Sequence, residues 1–177
     1  MSGPVRLAWS RADGSRQSLR SLRRAALHDA LAEIDGGIAE GVAHDALGRP
    51  FCPDSPEICV SATARGTWGA AAAARDLPIG VDVESVALVP EWREIGALVF
   101  HPRIGELLAR SAPGPRPERF ARAWARMEAC AKAAGTGIRP WHRGRDEPYR
   151  VTDIAAPNGY VAALAIDERP NAGRYAR

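Results

Sequence analysis

The chain has 177 residues, 46% of them hydrophobic and 25% charged, which are ordinary proportions for a globular protein of one domain or two small halves. No apolar run approaches the length of a membrane span and the N-terminus lacks the apolar core of a signal peptide, so we expect no membrane association. The net charge of +3 permits an acidic partner, but no five consecutive basic residues occur, which argues against a nucleic-acid binder. Three cysteines without metal-ligand spacing indicate a reducing, cytoplasmic setting.

The N-terminal part of the chain predicts a strand, a helix and a second strand. Residues 5–9 form a plausible short strand, and residues 18–34 carry apolar side chains at helical spacing. Residues 38–54 have the composition of a loop, and residues 58–63 are β-branched enough to predict a strand. Three arginines lie near the start of the helix: Arg20, Arg23 and Arg24.

The secondary structure of residues 67–75 can be predicted in two ways. Five consecutive alanines at 70–74 favour a helix by propensity. Only a tight turn at 76–78 separates them from the next strand, however, so an antiparallel meander is an equally good interpretation.

The next strand carries two carboxylates on one face. Apolar and other residues alternate over 77–84, which predicts a half-buried strand with Asp82 and Glu84 about 7 Å apart along it. Two interpretations of these carboxylates are open: they lie on a solvated strand face, or they belong to a functional site.

The C-terminal part predicts three helices and a hairpin. Residues 92–100 and 104–110 are helical by pattern, and residues 149–154 and 160–166 read as a hairpin around a turn at 157–159. Residues 135–148 are polar and irregular. Each half of the chain runs from helix to strands, which suggests a weak internal duplication.

The longest of these helices begins at Pro117 and ends at Gly135. Its apolar stripe consists of Phe120, Trp124, Met127, Ala131 and Ala134.

A carboxylate and an ammonium flank that stripe. Glu128 and Lys132 are four residues apart and share their side of the helix with Ala121 and Ala125, so we expect a strip that another molecule can approach closely. A surface ion pair of this kind contributes only about 0.3–0.5 kcal/mol and needs no function. Lys132 is, however, the only lysine in the sequence, which favours a role for a compact ammonium.

Asp82, Glu84 and Glu128 together suggest a metal site. Hard oxygen ligands around an open position suit Mg²⁺, whose remaining ligands are commonly water and substrate phosphate. A neighbouring lysine suits a phosphate oxygen.

Two motifs resemble those of the 4′-phosphopantetheinyl transferases. Residues 79–84, Ile-Gly-Val-Asp-Val-Glu, are similar to the family's G-[VI]-D-x-E motif, and residues 124–132 are similar to W-x-x-K-E-A-x-x-K. Gly48-Arg49-Pro50 looks like an upstream G-[KR]-P element, and residues 58–63 and 159–165 resemble two of the family's strands. The resemblance covers residues 18–167.

This resemblance implies an α+β fold: a monomeric pseudo-dimer of two similar halves, here 1–84 and 85–177, with coenzyme A in the cleft between them. The implied reaction transfers phosphopantetheine from coenzyme A to a serine of an acyl or peptidyl carrier protein and releases 3′,5′-ADP. Within the family such enzymes often serve polyketide or nonribosomal peptide biosynthesis.

The resemblance also implies roles for individual residues. Asp82, Glu84 and Glu128 would hold Mg²⁺, Lys132 would contact a phosphate oxygen, and Glu128 would deprotonate the attacking serine. The catalytic residues are thus Glu128 and Lys132. The coenzyme A contacts are Arg49, Ser61, Thr63, Arg65, Asp82 and Lys132.

Two positions depart from the family pattern. Met127 stands where the family usually has lysine, and Ala62 stands where it usually has histidine. Arg20, Arg23, Arg24, Arg49 and Arg65 are candidates to compensate. The alternative function is therefore a weakened relative that binds coenzyme A or a carrier protein without efficient transfer.

Overall fold

The computed structural model describes residues 5–13, 18–35, 41–46, 48–141 and 149–168. Residues 36–40, which include the start of the predicted loop, and residues 142–148 of the irregular segment lie outside these ranges. The N-terminal elements are β1 (Arg6–Arg11), α1 (Leu19–Asp35), β2 (Ala43–His44), β3 (Pro50–Phe51), β4 (Ile58–Arg65) and β5 (Trp68–Arg75). The C-terminal elements are β6 (Ile79–Ser85), α2 (Trp92–Val99), α3 (Pro102–Arg110), α4 (Arg116–Ala134), β7 (Tyr149–Ile154) and β8 (Tyr160–Asp167).

The alanine-rich stretch is strand β5 and not a helix, and it pairs with β4 before it. The expected meander does not continue into the next strand, because β6 pairs with β8 in the other sheet. Residues 70–74 are at most 1% exposed and lie between β1 and β4, both antiparallel to β5. Helix propensity is outweighed because the small alanines let both faces of a central strand pack closely against other layers.

Two three-stranded antiparallel sheets share one connectivity. Their strand orders are β1-β5-β4 and β6-β8-β7, so the third strand lies in the middle of each sheet. In each case a helix, α1 or α4, follows the first strand in sequence and covers one face of the sheet. The mixed α and β content agrees with the predicted fold class. Within the segment expected to be a loop, β2 and β3 form a small separate ladder.

The uncovered faces of the two sheets pack against each other. The central cluster between them includes alternate residues of β5 with Ile79, Val81 and Val83 of β6. Helix α1 therefore lies on the face of the first sheet that is turned away from β6.

Strand β6 is more buried than its alternation indicated. Ile79 to Val83 are all buried, including Asp82, which is 2% exposed. The prediction of a half-buried strand was wrong because α4 covers the face that carries the carboxylates. The predicted division after Glu84 stays a prediction, and the pairing of β6 with β8 favours a boundary before β6.

Helix α4 has the predicted length, but its most buried side is not the predicted stripe. Gly135 ends the helix in the left-handed conformation, with φ of 67°. Ala121, Ala125 and Ala129 are buried against β8, whereas Trp124 and Met127 are only partly buried. The strip beside Glu128 and Lys132 is thus occupied by the protein's own sheet and is not open to another molecule. In the described ranges, no helix is long and apolar enough to cross a membrane.

Candidate active site

Strand β6 crosses α4 with almost no space between the two backbones. A methyl group placed on Gly80 would lie 2.6 Å from the amide nitrogen of Ala133 and 2.9 Å from Cβ of Lys132. It would come closer still to the carbonyl oxygen of Ala129. Only glycine permits this approach, and its consequence is that Lys132 projects directly beside Asp82.

The ammonium of Lys132 lies closer to Asp82 than to Glu128, its neighbour on the helix. Its Nζ donates to Asp82 Oδ1 at 2.5 Å and to the carbonyl oxygen of Val81 at 3.2 Å. The distance from Nζ to Glu128 Oε2 is 3.8 Å. The interpretation of Glu128 and Lys132 as an isolated surface pair therefore fails, because the main partner of the lysine comes from β6.

The other two carboxylates have partners of their own. Nε of Arg65, at the end of β4, lies 3.1 Å from Glu84 Oε2. The indole Nε1 of Trp124 donates to Glu128 Oε1 at 2.8 Å. The indole ring is fixed in turn by stacking on Phe120, with the ring centres 6.0 Å apart.

Burial changes the acidity of the two carboxylates on β6. Desolvation raises the pKa of Asp82 to about 7, although the ammonium of Lys132 opposes this shift and Glu128 adds to it. Desolvation also raises the pKa of Glu84, with Arg65 as the main opposing influence. The three carboxylates are thus close enough to influence each other electrostatically.

Ser61 and Thr63 join β4 to β6. The hydroxyl of Ser61 accepts a hydrogen bond from the Val81 amide at 3.1 Å, and the hydroxyl of Thr63 donates to Asp82 Oδ1 at 3.0 Å. Both residues are buried. These bonds give each of them a structural role, and their contact with coenzyme A stays a prediction.

The remaining predicted basic contacts lie at different places. The guanidinium of Arg49 lies against Gly135 at the end of α4. Arg20, Arg23 and Arg24 are exposed on α1, on the far side of the first sheet from Asp82. Of these candidates, Arg65 alone contacts one of the three carboxylates in the part of the chain described.

The two departures from the family pattern have packing roles. Ala62 packs in the cluster beneath α1, on the opposite face of β4 from Ser61 and Thr63. Met127 packs with Trp124 against Phe100 and Phe120, and it lines an open pocket of about 250 Å³ next to Trp141.

The carboxylates fit a magnesium ion in chemistry but are not preassembled around one. No group of three His, Cys, Asp or Glu side chains among the described residues is arranged to hold a metal. Oδ2 of Asp82 is nevertheless buried and has no hydrogen-bond partner within the described ranges. An unsatisfied buried carboxylate oxygen is costly, so it is a natural position for a cation to bind.

Sequence reasoning missed Trp124 and Thr63 as partners of the carboxylates. The spacing of four between Trp124 and Glu128 was a usable signal, since side chains four apart meet on a helix. The bond from Thr63 to Asp82 joins residues 19 apart and had no such signal.

Comparison with protein-family models identifies the C-terminal part of the chain. Residues 78–173 match the model of the 4′-phosphopantetheinyl transferase superfamily. A search of the curated proteins returns no match. The match begins just before β6 and includes Asp82, Glu84, Glu128 and Lys132, so it covers more than half of the chain. The protein therefore belongs to the 4′-phosphopantetheinyl transferase superfamily.

Proposed function

We propose that this protein transfers the 4′-phosphopantetheine group of coenzyme A to a serine of an acyl or peptidyl carrier protein in a magnesium-dependent reaction that releases 3′,5′-ADP. The observation that carries the proposal is the meeting of β6 and α4, where Asp82, Glu84, Glu128 and Lys132 lie together. Membership of the superfamily supports phosphopantetheine transfer in general.

The side chains divide the work of phosphoryl transfer, which depends on positioning and charge neutralisation more than on covalent chemistry. Glu128, oriented by Trp124, accepts the proton of the attacking serine hydroxyl. Lys132 stabilises negative charge on a phosphate oxygen. Asp82, Glu84 and Glu128 hold Mg²⁺, which when bound neutralises charge on the pyrophosphate.

Coenzyme A binds, in this proposal, in the cleft between the two halves, near the point where Arg65 of β4 meets Glu84 of β6. The shared strand order supports a pseudo-dimer, since each sheet places its third strand in the middle and carries one covering helix. Ser61, Thr63, Arg65 and Arg49 then contribute contacts from the N-terminal side. We further propose that the protein acts as a monomer in the cytoplasm.

The direct test is the mass of an apo-carrier protein after incubation with the protein, coenzyme A and Mg²⁺. The expected result is a gain of one phosphopantetheine group, abolished by Glu128→Gln. Glu118→Gln is the matched control, because Glu118 is exposed on the same helix and forms its ion pair with Arg122, away from the candidate site. Unmodified carrier from a panel of acyl and peptidyl types, with the protein folded, would refute the enzyme proposal.

A weakened, binding-only relative is the second candidate. The packing of Met127 against Phe100 and Phe120 favours it, because this position supplies no cation to the site. In that case we expect calorimetry to detect binding of coenzyme A although transfer to the carrier is slow. The Met127→Lys variant is then expected to transfer the group faster than wild type. Rapid transfer by the unchanged protein would exclude this candidate.

A further inference from the structure

One ammonium group lies against oxygens from two elements. Nζ of Lys132 is 2.5 Å from Asp82 Oδ1, 3.2 Å from the carbonyl oxygen of Val81 and 3.8 Å from Glu128 Oε2. Two of these oxygens belong to the carboxylates that the proposed function assigns to Mg²⁺. The ammonium therefore occupies Oδ1 of the same carboxylate whose Oδ2 is the candidate position for a metal ion.

The two partners differ in their freedom to move. Asp82 is fixed on a buried strand and is 2% exposed, whereas the side chain of Lys132 is 30% exposed. A lysine side chain is flexible and ends in a compact charge, so it can leave the aspartate without displacing the backbone. Asp82 in its ionised form, in contrast, needs a cation nearby, because a buried carboxylate without a partner is strongly destabilising.

We propose that Lys132 is an internal counter-ion that competes with a divalent cation for Asp82. Without such an ion, the ammonium neutralises Asp82 and bridges it to Glu128. Binding of the ion at Oδ2 releases the ammonium from Oδ1, since two cations on one carboxylate repel each other. The inference rests on the metal set of the proposed function, and it adds that the site is closed by its own lysine until metal binds.

The sequence makes this competition directly observable. Lys132 is the only lysine, so lysine-selective ¹⁵N labelling gives a single side-chain ammonium resonance from the intact wild-type protein. Titration with MgCl₂ is expected to shift that resonance, while NaCl at equal ionic strength leaves it nearly unchanged. An unchanged resonance at Mg²⁺ concentrations that saturate binding, measured by displacement of Mn²⁺, would overturn the proposal.

A second measurement compares Mn²⁺ affinity by electron paramagnetic resonance. Lys132→Met is expected to bind Mn²⁺ about tenfold more tightly than wild type or better, because the competing charge is gone. Arg126→Met is the charge-matched control: Arg126 lies on the same helix but pairs with Asp153. Equal gains in the two variants would mean that only net charge matters, which contradicts the proposal.

The remaining outcomes are also decisive. Absence of Mn²⁺ binding to both wild type and Lys132→Met would overturn the proposal, since Lys132 would not be what limits metal access. Tight Mn²⁺ binding by a folded Lys132→Met protein, with no transfer by wild type to any carrier, would refute the proposed function and leave this inference intact. If Lys132→Met does not fold, the wild-type resonance decides alone.

Discussion

Replacement of Gly80 by alanine tests the central feature of the site, the contact of β6 with α4. Gly80 lies in ordinary strand backbone and its φ is not positive, so alanine can adopt the same backbone conformation without strain. The added methyl group would nevertheless lie 2.6 Å from the Ala133 nitrogen and 2.9 Å from Lys132 Cβ. Non-bonded heavy atoms prefer about 3.5 Å or more, so α4 has to withdraw from β6 by about 1 Å.

The cost of that withdrawal has two parts. Overpacking of a rigid core costs about 1–3 kcal/mol, and weakening the buried pair of Lys132 and Asp82 adds to it, so we expect a loss of about 2–4 kcal/mol in the free energy of unfolding. Transfer activity is expected to fall as well, because Lys132 and Glu128 move together with the helix.

Urea unfolding followed by circular dichroism measures this loss. Gly105→Ala is the control: a methyl group at Gly105, within α3, meets no atom within 4 Å. That change is expected to be neutral or to stabilise by up to about 1 kcal/mol through helix propensity. A Gly80→Ala protein within about 0.5 kcal/mol of wild type, the range of a harmless surface change, would refute the close-contact reasoning.

Three further predictions concern the partners of the carboxylates. Trp124→Phe keeps an aromatic ring but removes the donor to Glu128; the transfer rate should fall about tenfold, and an unchanged rate in the carrier-modification assay would show that Trp124 does not position Glu128. Thr63→Val removes a hydrogen-bond donor from buried Asp82 and should lower the free energy of unfolding, measured with urea, by about 1–3 kcal/mol. An unchanged free energy of unfolding would contradict this prediction. Because burial raises the pKa of Asp82 to about 7, the folded protein holds this proton more tightly than the unfolded chain. The stabilisation is therefore complete below about pH 4 and is lost as the pH rises through about 7, so with metal chelated the stability of wild type relative to Asp82→Asn should decline across that window. A flat difference between the two proteins would contradict the shifted pKa.

Most helices and strands were predictable because their signals are local. The spacing of apolar residues gave α1 to α4, and the turn at 157–159 marked the hairpin of β7 and β8. Prediction failed where burial came from distant elements. The alanines of β5 favour a helix until β1 and β4 enclose them, and β6 reads as half-buried until α4 covers it.

The candidate site divides in the same way. Residue order alone predicts which charges share an element: Asp82 with Glu84 through the period of a strand, and Glu128 with Lys132 through the period of a helix. The closer contact of Lys132 with Asp82, 50 residues away, than with its helical neighbour Glu128 depends on how α4 packs on β6, and no local signal predicts it. The physical reason is the contact at Gly80, where the missing side chain lets two backbones approach and places the ammonium beside a buried carboxylate that needs a cation.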